Sequence, residues 1–276
     1  MPKVKGGELI TDFLIHEKIP YVFGICGHGN VGILDALHQA QDRITLISPR
    51  HEQTAGHMAD AYFRVRHEPV ATLTSCGPGS ANLIMSLANA LADSSAFLAI
   101  TANVPTQQFN RGPFQELNRH NQADFPSLVR PVVKRSYQAY RVEMLPLMLR
   151  QATTNMLSGR PGPVNLDVPF NLFQEEADVE KPSSGATSFI SQRSGASDED
   201  VRTATDLLLK AERPLLFIGH GVTLSEASKE LQALVQRLNI PVISSPNGMG
   251  CIDMSAPQSV GFIGRNGAYP ANQAGR

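Results

Sequence analysis

Residues 70–104, VATLTSCGPGSANLIMSLANALADSSAFLAITANV, hold the pattern on which the fold turns. The segment opens on a short apolar run (70–75), turns at Cys-Gly-Pro-Gly, repeats apolar positions at helical spacing over 80–94, and closes on a second apolar run at 96–104. Short continuous apolar runs suit strands buried on both faces. Strand, glycine-marked turn, helix and strand in that order form a βαβ unit, whose strands are parallel.

Upstream the alternation repeats. GGELITDFLIHE (6–17) reads as a helix, YVFGI (21–25) as a strand ending in CGHGN, VGILDALHQA (31–40) as a helix and ITLISP (44–49) as a strand, and a helix begins near Gln53. Downstream come VVKRSYQAY (132–140), a helical EMLPLMLRQATTNMLSG (143–159) interrupted near its start by Pro146, and the strand PVNLDVP (163–169). The expected fold class is α/β, a mostly parallel sheet with helices on both faces.

Composition changes over 174–197, QEEADVEKPSSGATSFISQRSGAS, where Ser, Gly and charge replace periodicity. This predicts a linker between domains at 1–173 and 198–276. In the second domain Ser197 caps the helix DEDVRTATDLLLKAE, followed by PLLFIGHG as strand and turn, SEASKELQALVQRLN as helix and IPVISS as strand. Beyond that the pattern shows no final strand or helix to close a sheet, so an incomplete α/β unit is expected, in a chain that is a fragment or is completed by a partner. IGHGV (218–222) resembles the start of a dinucleotide fingerprint, but the third glycine and the distal acidic residue are missing.

With 276 residues, 42% of them hydrophobic, the chain has ample material for a buried core. Lys+Arg of 24 against Asp+Glu of 25 gives net charge −1, with no basic stripe to attract nucleic acid. Charges flank the short apolar segment at the start, and no run of 18 apolar residues occurs, so neither a signal peptide nor a membrane span is expected. Cys26, Cys76 and Cys251 are odd in number and widely spaced, as reduced thiols with small, partly buried side chains would be. A cytoplasmic protein is the expectation.

Three loops follow strands at one end of the expected sheet: CGHGN (26–30), PRHEQ (49–53) and SCGPGS (75–80). In open parallel sheets ligands bind outside that end. The second loop carries Glu52 between His51 and His57. A zinc helix needs its histidines four apart, and six places them on nearly opposite faces, so no metal ligand is assigned. Glu52 is then either a helix-start charge or a catalytic acid/base.

HEQTAGHMADAYFR (51–64), TSCGPGSANLIMSLANALADSSAFLAITANVPT (74–106), GPFQE (112–116) and GRPGPVNLDVP (159–169) occur in order. Over roughly residues 4–172 they resemble the N-terminal pyrimidine-binding domain of thiamine-diphosphate-dependent enzymes of the acetolactate synthase and 2-oxoacid decarboxylase group. Residues 198–276 resemble the beginning of that family's Rossmann-like central domain, which holds FAD in some members. The resemblance implies decarboxylation of pyruvate and carboligation, with thiamine diphosphate as cofactor. It gives Glu52 the role of hydrogen-bonding N1′ of the aminopyrimidine, and burial in a dry cleft would raise its pKa for proton sharing. Gly27, His28 and Gly29 correspond to an active-site loop in which His28 departs from the usual Pro-Gly-Gly. GHGN is also similar to a trihydroxycyclohexanedione hydrolase branch that cleaves a ring carbon–carbon bond. Gly77, Pro78 and Gly79 correspond to the turn under the pyrimidine, and Asn82 to the opening of the helix behind it. Phe114 and Gln115 correspond to a segment in which the glutamine nears the reacting centre across a subunit interface. The family binds Mg²⁺ and diphosphate through a Gly-Asp-Gly domain that this sequence lacks, and its sites lie between subunits. A homo-oligomer, dimer or tetramer, is therefore implied, and the 276 residues alone are expected neither to bind the cofactor tightly nor to turn over pyruvate. A non-catalytic partner subunit using the domain for dimerisation is the reading from a different class.

Overall fold

A computed structural model describes residues 3–112, 114–116, 124–179 and 195–276. The chain divides into two units, Met1–Gln192 and Arg193–Arg276.

The first unit is built on a six-stranded parallel sheet in the order β3-β2-β4-β5-β7-β6. Its strands are β2 (Tyr21–Gly24), β3 (Thr45–Ile47), β4 (Val70–Thr74), β5 (Phe97–Asn103), β6 (Arg135–Gln138) and β7 (Val164–Pro169). Every residue of β4, β5 and β7 is buried, as expected of central strands covered on both faces. The short β3 lies at an edge with Thr45 and Leu46 exposed. Helices α1 (Gly6–His16), α2 (Val31–Gln39), α3 (Glu52–Arg66), α4 (Pro78–Ala81), α5 (Ile84–Asp93), α6 (Phe125–Val129), α7 (Leu145–Leu157) and α8 (Phe170–Gln174) connect or flank the strands.

One core cluster joins α3 and α5 to the sheet through Ala55, Ala59, Leu83, Leu87, Ala90, Val70 and Phe97. Small residues allow that approach: a Cβ on Gly56 would come within 1.9 Å of Ser86 Oγ. α3 and α5 end on His67 and Ser94 in left-handed conformation, which closes their last turns.

Several boundaries differ from the sequence pattern. Pro146 stands in the first turn of α7, where its missing N–H is no loss, so it opens the helix rather than interrupting it. The helical stretch over 80–94 is two helices, and Asn82 caps the end of the first rather than opening the second. The segment read as linker from 174 begins inside the first unit: α8 runs to Gln174, and β8 (Glu176–Asp178) pairs antiparallel with β1 (Lys3–Lys5). Three residues with only Ala177 buried leave no readable alternation. Residues 180–194 of that segment lie outside the described residues.

The second unit has a three-stranded parallel sheet, with β10 (Val242–Ser244) between β9 (Leu216–Ile218) and β11 (Ser259–Phe262). The expectation that it lacks a final strand and helix is corrected by β11 and by the helix Tyr269–Ala274. β11 shows no apolar run in the sequence because Ser259 precedes Val260, and Gly261, at φ +99°, separates Val260 from Phe262. Ser197 caps the helix Asp198–Lys210, its Oγ accepting from Asp200 N at 3.1 Å.

Candidate functional site

The loops after β2 and β4 fold against each other. In CGHGN the buried Asn30 braces the turn, accepting from Gly27 N at 2.9 Å and donating to Ile25 O at 2.9 Å. Gly27 and Gly29 lie on Ser75: a Cβ on Gly27 would fall 2.5 Å from Ser75 Oγ, and Gly29 N donates to that oxygen at 3.3 Å. The absence of side chains there is what permits the contact. Ser80, fully buried, donates to Ser75 O at 2.7 Å and so fixes the Gly-Pro-Gly turn from below.

Gly77 has φ +64°, and a Cβ on it would come within 2.7 Å of Gln115 Cβ and O. Two independent constraints therefore demand glycine. Pro78 supplies the first turn of α4. Gly79 faces Glu52, whose Oε1 would lie 3.3 Å from an added Cβ.

Glu52 is the first residue of α3, with His51 as the cap: its Nδ1 accepts from Gln53 N at 3.2 Å. Asn82 Nδ2 donates to Glu52 Oε2 at 3.0 Å. Among the described residues no donor reaches Oε1, so one carboxylate oxygen is oriented and the other is open. Glu52 is half-buried; the dry cleft expected from sequence is not supplied by the described residues of this chain. His57 lies 3.3 Å from Gln53 Nε2, and no group of three potential metal ligands occurs among the described residues.

Beside this lies a second cluster. The Cys76 thiol donates to Gln115 Oε1 at 3.1 Å, and His28 Nε2 lies 3.6 Å from the same sulfur. His28 also meets the Phe170 ring edge-on, at 5.9 Å between centroids. Burial pushes the Cys76 thiol above its usual range. Gln115 adopts φ +72° and packs on the Gly77 turn of its own chain, while Phe114 is exposed. Of the residues singled out from sequence, Gly27, Gly29, Gly77, Gly79, His28, Gln115, Glu52 and Asn82 are thus linked through direct contacts that run through Ser75 and Cys76.

Ser75 and Cys76 were not assigned roles from sequence, although the motif containing them was. A further polar group went unnoticed. Asp167, inside β7, is fully buried and accepts from Thr101 Oγ1 (2.9 Å), Asn103 Nδ2 (2.6 Å) and Gln138 Nε2 (2.9 Å). Burial lifts its pKa to about 6 against the opposing effect of these donors. Asn165, also buried, donates to Ala99 O and Thr101 Oγ1 and accepts from Ser136 Oγ. Together they bind β5, β6 and β7 to one another.

Residues 4–124 match the thiamine pyrophosphate enzyme N-terminal TPP binding domain, and residues 201–276 match the central domain of the same enzymes. The chain belongs to the thiamine pyrophosphate enzyme family. A probable acetolactate synthase large subunit of Methanococcus aeolicus is 35% identical over 272 residues, covering 98% of this chain and 44% of the relative. The mitochondrial acetolactate synthase catalytic subunit of Saccharomyces cerevisiae is 32% identical, with 98% of this chain and 39% of the relative covered. For the acetolactate synthase isozyme 3 large subunit of Escherichia coli the identity is 31%, and the coverages are 99% and 46%. The chain spans less than half the length of these relatives. Among the described residues no helix is long and apolar enough to cross a membrane.

Proposed function

We propose that this chain is the N-terminal part of an acetolactate synthase-like enzyme that decarboxylates pyruvate or a related 2-oxoacid and joins the remaining fragment to a second 2-oxoacid. The observation that carries the reading is Glu52, with Oε2 held by Asn82 and Oε1 open over Gly79. A Cβ at Gly79 would fill the space in front of that oxygen, so the residues present fit a flat heteroaromatic ring offering a nitrogen to the carboxyl group. Thiamine diphosphate, when bound, supplies the nucleophilic carbon and the electron sink for loss of carbon dioxide.

The chain's own residues do the rest. Glu52 holds and returns a proton at Oε1, and Asn82 keeps the carboxylate from rotating. Gly77, Pro78 and Gly79 would hold the ring from one side, since their turn leaves no side chain in the space before Glu52. His28 and Gln115 serve the substrate side, with Phe114 as an apolar wall. Mg²⁺ and the diphosphate would be held outside these residues, the central domain is where FAD would sit in a member that uses it, and the working assembly is a homo-oligomer. The names of the relatives favour acetolactate synthase chemistry over ring cleavage or a non-catalytic partner role.

The test is Glu52→Gln in the complete enzyme. Loss of acetolactate formation together with loss of cofactor C2 proton exchange is expected; retention of both would overturn the reading.

A further inference from the structure

The thiol of Cys76 is only 1% exposed, and burial holds it in the protonated form. A redox or nucleophilic role requires an accessible thiolate, and this sulfur is neither accessible nor ionised. What it does have is two polar neighbours from two other loops. A thiol carries one hydrogen. That hydrogen goes to Gln115 Oε1 at 3.1 Å, so the sulfur meets His28 Nε2, at 3.6 Å, with a lone pair. Nε2 must then carry the ring proton. In a neutral imidazole this leaves Nδ1 bare, and among the described residues nothing donates to it.

We propose that Cys76 is a positioning residue: its thiol, accepting from His28 and donating to Gln115, fixes the Nε2–H tautomer of His28 and holds Gln115 on the Gly77 turn. His28, which is exposed, therefore presents a bare Nδ1 as acceptor, and the substrate-side residues of two loops are set by one buried atom. The functional consequence rests on the 2-oxoacid reading above; the tautomer itself does not. Serine at position 76 retains one donor and one acceptor in nearly the same place, whereas alanine retains neither.

The experiment compares wild type, Cys76→Ser and Cys76→Ala. In the chain labelled with ¹⁵N-histidine, at a pH where the imidazoles are neutral, His28→Gln assigns the His28 signals. Wild type and Cys76→Ser should show Nε2–H with an unprotonated Nδ1, and Cys76→Ala a mixture of tautomers. A wild-type Nδ1–H ring, or a His28 signal unchanged in Cys76→Ala, would overturn the proposal; a flipped Gln115 amide would give the first of these results. In the complete enzyme Cys76→Ala should lower kcat for the 2-oxoacid by about five- to tenfold, the scale of one lost hydrogen bond, with cofactor affinity unchanged. Cys76→Ser should recover most of that loss. Equal loss in both variants, with thermal unfolding unchanged, would also count against it. If the wild-type enzyme fails to consume 2-oxoacids, the functional reading falls while the tautomer result still stands or falls by itself.

Discussion

Glu52 and Asp167 are two carboxylates of one parallel-sheet unit with opposite surroundings. Glu52 opens α3, is half-buried, and among the described residues has a single donor on one oxygen. Asp167 is sealed inside β7 with three donors drawn from β5 and β6, and its pKa is lifted to about 6 by burial. A perturbed pKa often marks a functional group, yet structural networks perturb pKa values as well. Here the carboxylate with the raised pKa is enclosed by protein, and Glu52, with its open oxygen, faces the glycine cradle. Unfilled hydrogen-bonding capacity, rather than the size of the shift, separates a candidate proton carrier from a core fastener.

The largest expected effect breaks the comparison on the Glu52 side. Glu52→Gln should lower kcat by about 10²- to 10⁴-fold, the range of a lost acid/base, while the unfolding midpoint in urea stays near that of wild type. Asp167→Ala should do the reverse. It strands three buried donors and should cost about 3 kcal/mol of stability, read as a lower urea midpoint.

A pH series sharpens the contrast further. The folded pKa of Asp167, about 6, lies above its ordinary 3.8. Between those values the folded state holds more protons than the unfolded one, so this group's contribution to stability increases as pH falls through 6 toward 4. Relative to Asp167→Asn, wild type should gain on the order of 2 kcal/mol over that window, measured by urea unfolding at fixed ionic strength. A difference between the two proteins that does not change with pH would contradict the assignment. The smallest effect belongs to Asn82→Ala, which frees Glu52 Oε2 and should weaken cofactor binding in the complete enzyme about fivefold, seen by calorimetry.

Much of the fold was legible because its strands are short apolar runs between glycine-marked turns and its helices carry apolar positions at helical spacing. The Glu52 loop and the Gly77-Pro78-Gly79 turn were legible for the same reason, since they interrupt those patterns at strand ends. What stayed hidden depends on distance along the chain. The contact of Cys76 with Gln115 spans 39 positions, and no local pattern announces it. Asp167 hides within an apolar strand, because its partners lie on β5 and β6 and are brought to it only by the sheet. β8 was lost in a charged, serine-rich stretch since its role is one of pairing, not burial.

That last strand bears on how the molecule is made. β1 and β8, the first and last strands among the described residues of the first unit, pair with each other, Lys3 opposite Asp178. During synthesis from the amino terminus, residues 3–5 wait without their partner until residue 178 has left the ribosome. At about 5–20 residues per second that delay is on the order of ten seconds or more. Helix α1, which follows β1 directly, packs on α2, α7 and α8, and the last of these is also among the final segments to emerge. The nascent domain therefore carries an unfinished amino end through most of its own translation, and becomes whole only when its tail returns to its head.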